Sequence, residues 1–272
     1  MTLIPAALLG FVQGLTEFLP VSSSAHLILA RAFFGWNSDQ FGLPFDVACH
    51  VGTLMAALAY FRDDVLAMTR AVPEMLRTSV SRATGPARQA WLLVAGTLPV
   101  VVVGLLCGDA IERTMRTPAV AATALAAGAL VLLAAERVGS RNRSEDSLTV
   151  PEALMLGLAQ SAALVPGVSR SGATIAVAIW IGLRRDAAAR FAFLLGIPAI
   201  LAAAAREGLV VMQQGMTPDV ALLFLVGVVC SGGIGYLTVK YFLRYVTDHS
   251  LDVFAFYRLA LAAGAGLWAA RL

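Results

Sequence analysis

Charged residues are scarce in this sequence: they make up 14% of its 272 residues, whereas hydrophobic residues make up 59%. Soluble domains usually contain about 25% charged and about 45–50% apolar residues. The intervals without Asp, Glu, Lys or Arg include 89–108, 117–135, 153–169, 191–205 and 220–239. A helix needs about 20 apolar residues to span a bilayer. The composition therefore excludes an ordinary soluble domain and predicts an integral protein of the membrane bilayer.

Cysteine and net charge are also low. Cys49, Cys107 and Cys230 lie far apart in apolar runs, which is typical of small buried side chains rather than of a disulfide framework or a metal cluster. The net charge of +3 is too small to indicate a nucleic-acid partner, and none is expected. The distribution of Lys and Arg along the chain is informative about membrane orientation instead.

The apolar runs fall into two kinds. Six read as full membrane spans, at about 46–62, 89–108, 117–136, 190–212, 219–242 and 253–271. Two others, 3–33 and 151–183, are interrupted by Pro-Val-Ser-Ser-Ser at 20–24 and by Pro-Gly-Val-Ser-Arg-Ser-Gly at 166–172. Non-helical backbone at membrane depth is tolerated only where protein buries it or a cavity adjoins it. We expect an all-α polytopic membrane protein with six transmembrane helices and two re-entrant helix–loop–helix hairpins.

The two interrupted regions resemble each other. A shift of 147 residues aligns five identical pairs: Gly10 with Gly157, Gln13 with Gln160, Val21 with Val168, Ser22 with Ser169, and Ser24 with Ser171. Broken helices at corresponding positions in two halves indicate a binding site near the bilayer midplane. We predict one membrane domain made of two repeat halves, about 1–136 and about 150–272.

The basic residues predict the orientation of the repeat. If the hairpins do not cross, one face receives Arg62, Arg70, Arg77, Arg82, Arg88, Arg137, Arg141, Arg143, Arg184, Arg185, Arg190, Lys240 and Arg244. The other face receives Arg31, Arg113, Arg116, Arg206 and Arg271. The richer face should be cytoplasmic. The first hairpin then enters from outside and the second from the cytoplasm, so the repeat is inverted and both termini lie outside.

Few ionisable residues remain at membrane depth: Glu17, His26, Asp46, His50, Arg170 and Arg258. A charge costs about 2.5–3.5 kcal/mol there on insertion scales, so each is a functional candidate. Asp46 and His50 stand four residues apart, and we expect a structural pair. Arg258 could pair with Glu17 or Asp46, or could join a binding site.

The second break has the composition of an anion site. Ser169 or Ser171 is a suitable N-cap for the half-helix that follows, and a helix N-terminus favours an anion. Arg170 supplies planar donors that match phosphate oxygens. Thr174 lies one turn after Ser171 and could add a hydroxyl. The segment is expected to hold phosphate.

The first break has complementary groups. Ser22 is expected to cap the second half-helix, and His26 lies three residues beyond Ser23, on the same helix face. Gln13 lies one turn before Glu17. A carboxylate, an imidazole and a hydroxyl that face an anion suggest phosphoryl hydrolysis. The histidine could activate a serine or a water, or protonate a leaving oxygen, and the carboxylate could orient the histidine or hold a divalent cation.

These motifs are similar to those of a known family. QGLTEFLPVSSSAHL at 13–27 and PGVSRSGAT at 166–174, the latter preceded by QSAALV, resemble the undecaprenyl-diphosphate phosphatase family, which is known for bacitracin resistance. The resemblance extends over essentially the whole chain. It implies hydrolysis of undecaprenyl diphosphate to the monophosphate and inorganic phosphate, which recycles the lipid carrier of cell-wall synthesis. It also implies a bacterial plasma (inner) membrane location, periplasmic termini and a site that opens to the periplasm.

The resemblance also implies roles for residues of both motifs. The catalytic set would be Glu17, Ser23, His26 and Arg170, and the phosphate-binding set would be Ser169, Arg170, Ser171 and Thr174. Ser22, which occupies the position of Ser169 in the first break, is expected to join the phosphate-binding set. A divalent cation, Mg²⁺ or Ca²⁺, would lie at Glu17 and Gln13. Many members have Glu where this chain has Gln13, which weakens the cation site, and Gly where it has Ala25.

Two alternatives stay open at this point. Either Ser23 or a water could be the nucleophile. Inverted broken hairpins are equally natural in a transporter, so the protein could flip the polyprenyl phosphate across the membrane. The expected partners are a polyprenyl diphosphate, the bilayer and, as a further possibility, a second copy of the chain in a homodimer.

Overall fold

The computed structural model describes residues 3–36, 41–214 and 217–269, without the side chains of 210–212, 214 and 269. The helices are α1 (Ile4–Thr16), α2 (Ser23–Phe34), α3 (Leu43–Tyr60), α4 (Arg62–Arg70), α5 (Val72–Arg77), α6 (Gly85–Met115), α7 (Pro118–Val138), α8 (Val150–Ala162), α9 (Arg170–Trp180), α10 (Arg185–Gln214), α11 (Pro218–Asp248) and α12 (Asp252–Ala269). No β-strand occurs in these described ranges, which contain only an isolated bridge between Arg143 and Leu183. The predicted all-α class is confirmed.

Five of the six predicted spans coincide with helices that are long and apolar enough to cross a membrane. They are α3, α6, α7, α10 over Arg185–Leu209, and α11. The sixth predicted span, 253–271, corresponds to α12, and its last residues lie outside the described part of the chain. By length and composition, the protein is a multi-pass membrane protein.

Both interrupted regions are broken helices. The arms α1, α2, α8 and α9 contain 13, 12, 13 and 11 residues. At 1.5 Å per residue each arm extends about 17–20 Å, which is shorter than a hydrocarbon core of about 30 Å. Ser22 and Ser169 precede the second arm of each region, and their φ angles are 71° and 72°. Positive φ is uncommon for residues other than glycine, so the two aligned serines share an unusual backbone.

The first arm of each broken helix packs on a helix from the other half of the chain. α1 lies against α11, and α8 lies against α6. Glycine permits this approach, because a Cβ added to Gly10 would lie 2.8 Å from the carbonyl oxygen of Gly227. Gly157 meets the backbone of Gly96 in the same way. The two halves therefore interlock through reciprocal contacts.

The main hydrophobic core lies beside the first break. Phe18, next to Glu17, is 2% exposed and packs edge-on against Phe193, with ring centroids 5.1 Å apart. Phe193 also contacts Phe61 and Phe242. Aromatic pairs of this kind contribute about 0.5–1.5 kcal/mol beyond area burial. The backbone at Glu17 is consequently held by a rigid aromatic cluster.

The start of α8 is fixed by a capping box and an ion pair outside the spans. Thr149 and Glu152 exchange capping hydrogen bonds, and Arg143 binds both oxygens of Glu152 at 2.7 and 3.1 Å. Hydrogen bonding from Arg143 is the main cause that lowers the pKa of Glu152 from 4.5 to about 2. The ionised carboxylate therefore stabilises the folded state.

Glu152→Gln is expected to lower the apparent melting temperature at pH 7 by a few degrees. Because the folded pKa is depressed, the stabilisation is present above about pH 4.5 and is lost as the pH falls towards 2. The melting temperature of the detergent-solubilised protein is measured from pH 7 to pH 3. The difference in melting temperature between variant and wild type should shrink on acidification. Glu74→Gln, at an exposed position, is the control. A pH-independent difference would contradict the role of the ion pair.

Candidate active site

The carboxylate of Glu17 is the centre of a polar cluster between the two breaks. The Gln13 side-chain amide donates to Oε2 at 2.7 Å, and the Ser23 hydroxyl donates to the same oxygen at 2.6 Å. Arg170 forms an ion pair with Oε1. Glu17 is 5% exposed. The structure therefore brings together residues of both sequence motifs, 153 positions apart, around one buried carboxylate.

Arg170 is the first residue of α9 and lies between the first break and α10. Its Nη2 donates to Glu17, and its Nη1 donates to the carbonyl oxygen of Gly196 at 3.0 Å. A Cβ on Gly196 would lie 2.8 Å from Nη1, so glycine leaves the space that the guanidinium fills. The arginine is oriented by two acceptors before any ligand binds.

The start of α9 has the expected cap. The Ser169 hydroxyl accepts a hydrogen bond from the backbone N–H of Gly172 at 3.0 Å. Ser171 donates to the carbonyl oxygen of Leu19 at 2.9 Å, which ties α9 to the first break. The Thr174 hydroxyl is buried and has no hydrogen-bond partner among the described residues. It is a hydroxyl that a ligand or a water could engage.

Ser22 occupies the corresponding position before α2 but does not cap it. Its hydroxyl lies 3.2 Å from the hydroxyl of Ser24, and its side chain makes no capping hydrogen bond to α2. Ser169 and Ser171 make the matching contact at 3.3 Å, so the two breaks share backbone conformation and this hydroxyl pair, and they differ in the helix cap. Ser22 as a phosphate-binding residue stays a prediction.

Both ring nitrogens of His26 contact groups other than the Ser23 hydroxyl. Its Nδ1 is 2.7 Å from the carbonyl oxygen of Ser22, which can only accept, so Nδ1 carries the proton. Its Nε2 then accepts from the Tyr257 hydroxyl at 2.7 Å, and the two rings stack with centroids 5.7 Å apart. The hydroxyl of Ser23 is hydrogen-bonded to Glu17 instead. Sequence reasoning missed Tyr257, whose one signal was its position beside the intramembrane Arg258.

Asp46 and His50 do contact each other, but through the backbone. His50 Nδ1 lies 2.7 Å from the Asp46 carbonyl oxygen, while the Asp46 carboxylate binds Arg31 at 2.6 Å and Arg116 at 2.5 Å. The other ring nitrogen of His50, Nε2, lies 3.3 Å from Oε2 of Glu17. His50 therefore adjoins the cluster, a placement that the spacing of Asp46 and His50 did not indicate.

Arg258 is fully buried and pairs with neither Glu17 nor Asp46. It donates at 3.0–3.3 Å to the carbonyl oxygens of Pro20, Ala124, Leu125, Gly167 and Val168. Pro20 lies in the first break, and Gly167 and Val168 lie in the second. One guanidinium therefore ties both breaks to α7.

Arg258→Leu is expected to destabilise the fold by about 3–5 kcal/mol, because it leaves buried carbonyl groups without a donor. Thermal melting and gel filtration in detergent measure this loss. Arg244→Leu, at an exposed position on α11, should leave the melting temperature nearly unchanged. Equal stability of the two variants would show that the carbonyl contacts of Arg258 contribute little.

The oxygen atoms around Glu17 that could bind a cation fit the predicted site in part. Gln13 Oε1 is buried without a partner among the described residues, and it belongs to the residue that already contacts Glu17. Amide and carboxylate oxygens suit Mg²⁺ or Ca²⁺. No group of three His, Cys, Asp or Glu residues suited to a metal occurs within the ranges that the structure describes. A cation at Gln13 and Glu17 therefore remains a prediction.

Comparison with known proteins is consistent with the motifs. The family model described as bacitracin resistance protein BacA matches residues 6–264. The chain is 47% identical over 263 residues to a protein of Rubrobacter xylanophilus named undecaprenyl-diphosphatase, with 97% of each chain covered. Proteins of the same name from Chlorobium luteolum and Thermomicrobium roseum are 42% and 40% identical, covering 98% and 96% of this chain and 96% of each relative. The chain belongs to the BacA bacitracin resistance family.

Proposed function

We propose that this protein hydrolyses undecaprenyl diphosphate to undecaprenyl phosphate and inorganic phosphate, and so recycles the lipid carrier for cell-wall synthesis. One observation carries the proposal: Arg170, Ser23 and the Glu17 carboxylate meet where the two broken helices face each other. An oriented guanidinium beside a hydroxyl that is hydrogen-bonded to a carboxylate is suited to phosphoryl transfer. The names of the relatives support the substrate.

The second break binds the diphosphate. Arg170 exchanges its contact with Glu17 for phosphate oxygens, since the paired N–H donors of a guanidinium can bind two oxygens of a phosphate as well as those of a carboxylate. The N-terminus of α9, with Ser169 and Ser171, adds hydrogen-bond donors and the positive end of the helix dipole. Thr174 supplies its unpaired hydroxyl. Ser22 takes the equivalent position on the first break.

Residues at the first break carry out the attack on the terminal phosphorus. Glu17 accepts the proton of the Ser23 hydroxyl, or of a water in its place, as that oxygen forms the new bond. The bond to the bridging oxygen breaks, and undecaprenyl phosphate leaves. With Ser23 as nucleophile, a water then attacks the phosphoserine, releases phosphate and restores the hydroxyl proton. His26, which Tyr257 and the Ser22 carbonyl hold in one tautomer, serves as the proton donor or acceptor towards the leaving group or the water.

The divalent cation, held by Glu17 and Gln13, would neutralise phosphate charge. Its expected ligand atoms are Glu17 Oε2 and Gln13 Oε1. Gln13 coordinates only through a neutral carbonyl, so its affinity for a cation is expected to be low.

The topology is proposed as six transmembrane helices and two re-entrant hairpins, in inverted repeat halves of about 1–136 and 150–272. The ion pairs near the helix ends support it, because the pairs named here each join residues of one predicted face. Asp46 binds Arg31 and Arg116, and Asp109 binds Arg206, on the outer face. On the other face Glu136 binds Arg185, Glu145 binds Arg190, and Asp252 binds Arg137.

The location follows from this topology together with the family. The protein lies in the bacterial inner membrane with both termini in the periplasm, and its site opens to the periplasmic side, where the first hairpin enters. A homodimer remains a prediction. In a background in which Cys49, Cys107 and Cys230 are replaced by alanine, a cysteine introduced at the exposed Arg113 should react with a membrane-impermeant maleimide in intact spheroplasts, and one at the exposed Arg82 should not. Labelling of the second position and not of the first would show that the orientation in the membrane is the reverse of the one proposed.

The function is tested with purified full-length protein in detergent and undecaprenyl diphosphate. We expect release of one phosphate per lipid and formation of the monophosphate, measured by phosphate assay and mass spectrometry. Absence of phosphate release from folded protein, with and without divalent cations, would contradict the hydrolase. Transfer of the lipid phosphate between vesicle leaflets without hydrolysis would then favour the transport alternative.

A further inference from the structure

Two buried polar side chains of the second broken helix have no hydrogen-bond partner within the described part of the chain. Gln160 lies in the last turn of α8, Thr174 lies in α9, and each is 1% exposed. The unpartnered atoms are both amide atoms of Gln160 and the Thr174 hydroxyl, so the two side chains do not bond to each other either. The great majority of buried polar atoms in proteins are paired, and an unpaired one is destabilising. The amide of Gln160 is therefore a candidate for binding a ligand.

The internal repeat shows why Gln160 is unpaired. The shift of 147 residues aligns it with Gln13, whose amide donates to Glu17 one turn later at 2.7 Å. The residue that aligns with Glu17 is Leu164. The second half therefore has the amide but not the carboxylate that binds it in the first half.

The same alignment relates both side chains to Arg170. Thr174 is four residues after Arg170 and lies one turn along the same face of α9. Arg170 aligns with Ser23, and Ser23 and Gln13 bind the same carboxylate oxygen in the first half. The arms α8 and α9 pack on each other as α1 and α2 do. We therefore expect the amide of Gln160 to lie beside Arg170, on the side of the second hairpin.

The two ends of the Gln160 amide select for different oxygens of a phosphate. Nε2 donates, as do the Arg170 guanidinium and the N–H groups at the start of α9. Oε1 can only accept, so its partner must carry a proton. A terminal phosphate group carries a P–OH in part of its population near neutral pH, because its second pKa is about 6. A sulfate, or the internal phosphate of a diphosphate ester, offers only acceptors there.

We propose that Gln160, together with Thr174, binds the terminal phosphate of the substrate through a protonated oxygen. Oε1 of Gln160 accepts from the P–OH group, while Nε2 and the Thr174 hydroxyl donate to other oxygens of the same phosphate. The inference rests on the proposed function and deepens it, because it makes the second break selective for a terminal phosphate group. Inorganic phosphate, the second product, fits the same position.

The test uses inorganic phosphate and sulfate with the purified full-length protein in detergent, at neutral pH and constant ionic strength. Phosphate should raise the melting temperature of the wild type in a saturable way, and sulfate should bind at least about tenfold more weakly. Gln160→Met should weaken phosphate binding at least about tenfold and remove the preference over sulfate. Gln89→Met, at a partly exposed position near the start of α6, should change neither.

The stability of the same variant separates ligand binding from a structural role. Gln160→Met removes two unpartnered buried atoms, so its melting temperature without ligand should equal or exceed that of the wild type. Thr174→Val, which keeps the shape of the side chain, should likewise weaken phosphate binding without loss of stability. A lower melting temperature of Gln160→Met, or its failure to fold, would show that the amide has a structural partner and would overturn the proposal.

The binding measurements also distinguish this site from the proposed function. Absence of saturable stabilisation of the wild type by phosphate overturns the proposal, and so does equal affinity for phosphate and sulfate. Unchanged phosphate affinity in folded Gln160→Met overturns it as well. A wild type that binds phosphate selectively but releases none from undecaprenyl diphosphate contradicts the hydrolase and supports the phosphate site. A wild type that hydrolyses the lipid without this selectivity supports the hydrolase and overturns the role of Gln160.

Discussion

Arg170→Ala is expected to reduce kcat/KM for phosphate release by about 10³-fold. The substitution removes the guanidinium that binds the phosphates and leaves the Glu17 carboxylate without its ion-pair partner. Loss of one preorganised donor to developing charge typically costs about 10²–10³-fold, and arginines that stabilise phosphoryl transfer contribute about 10³–10⁵-fold. Phosphate release at saturating and subsaturating lipid diphosphate gives both kinetic constants.

Two further variants test whether the loss of activity comes from the planar donors of Arg170. Arg170→Lys keeps the charge but not the planar pair of donors, so it should recover less than about a tenth of wild-type activity. Arg206→Ala removes an exposed ion pair with Asp109, distant from the cluster, and should leave turnover within about twofold. Activity of Arg170→Ala within tenfold of the wild type would exclude Arg170 as the main phosphate ligand.

Ser23→Ala is expected to lower kcat by about 10³-fold with little change in KM. The Ser23 hydroxyl lies 2.6 Å from Glu17 Oε2, which places the nucleophile candidate directly on a general base. A nucleophile acts on the reacting bond, so its loss reduces the chemical step rather than ground-state binding. Steady-state kinetics, together with acid-quench trapping of a phosphoserine by mass spectrometry, measures the effect.

The serine variant also decides between the two nucleophiles. Ser161→Ala is the matched control, because among the described residues the buried Ser161 hydroxyl bonds only to the Gly157 carbonyl oxygen of its own helix. If Ser23→Ala retains near-full turnover, a water held by Glu17 is the nucleophile. A loss of about tenfold without a trapped phosphoserine would reduce Ser23 to a hydrogen-bond donor.

The hydrogen-bond partners of Ser23 and His26 in the structure differ from those that the sequence suggests. The spacing of Ser23 and His26 predicts that the histidine would face the serine, whereas the structure joins Ser23 to Glu17 and His26 to Tyr257. Helical spacing brings two side chains onto one face, but it does not decide which of several acceptors a hydroxyl will choose. That choice depends on Glu17, which lies on the other side of the break.

The sequence by itself determined the class of the protein and the position of its site. The scarcity of charge and the long apolar runs require helices in a bilayer, because only internally hydrogen-bonded backbone is stable there. The Pro, Gly and Ser clusters at 20–24 and 166–172 break two helices, and the residues around the breaks resemble one family. These are local properties of composition and turn chemistry, so short stretches of the chain encode them.

Only the tertiary structure decided which residues of distant segments meet. Glu17 pairs with Arg170, His50 approaches Glu17, and Arg258 ties both breaks together. The sequence indicated that the two breaks form one site, but it did not indicate these particular pairs, because each depends on how α1 docks on α11 and α8 on α6 through glycine contacts. Intramembrane charges must find partners, but the partner is set by the packing of the helices and not by the spacing of the residues.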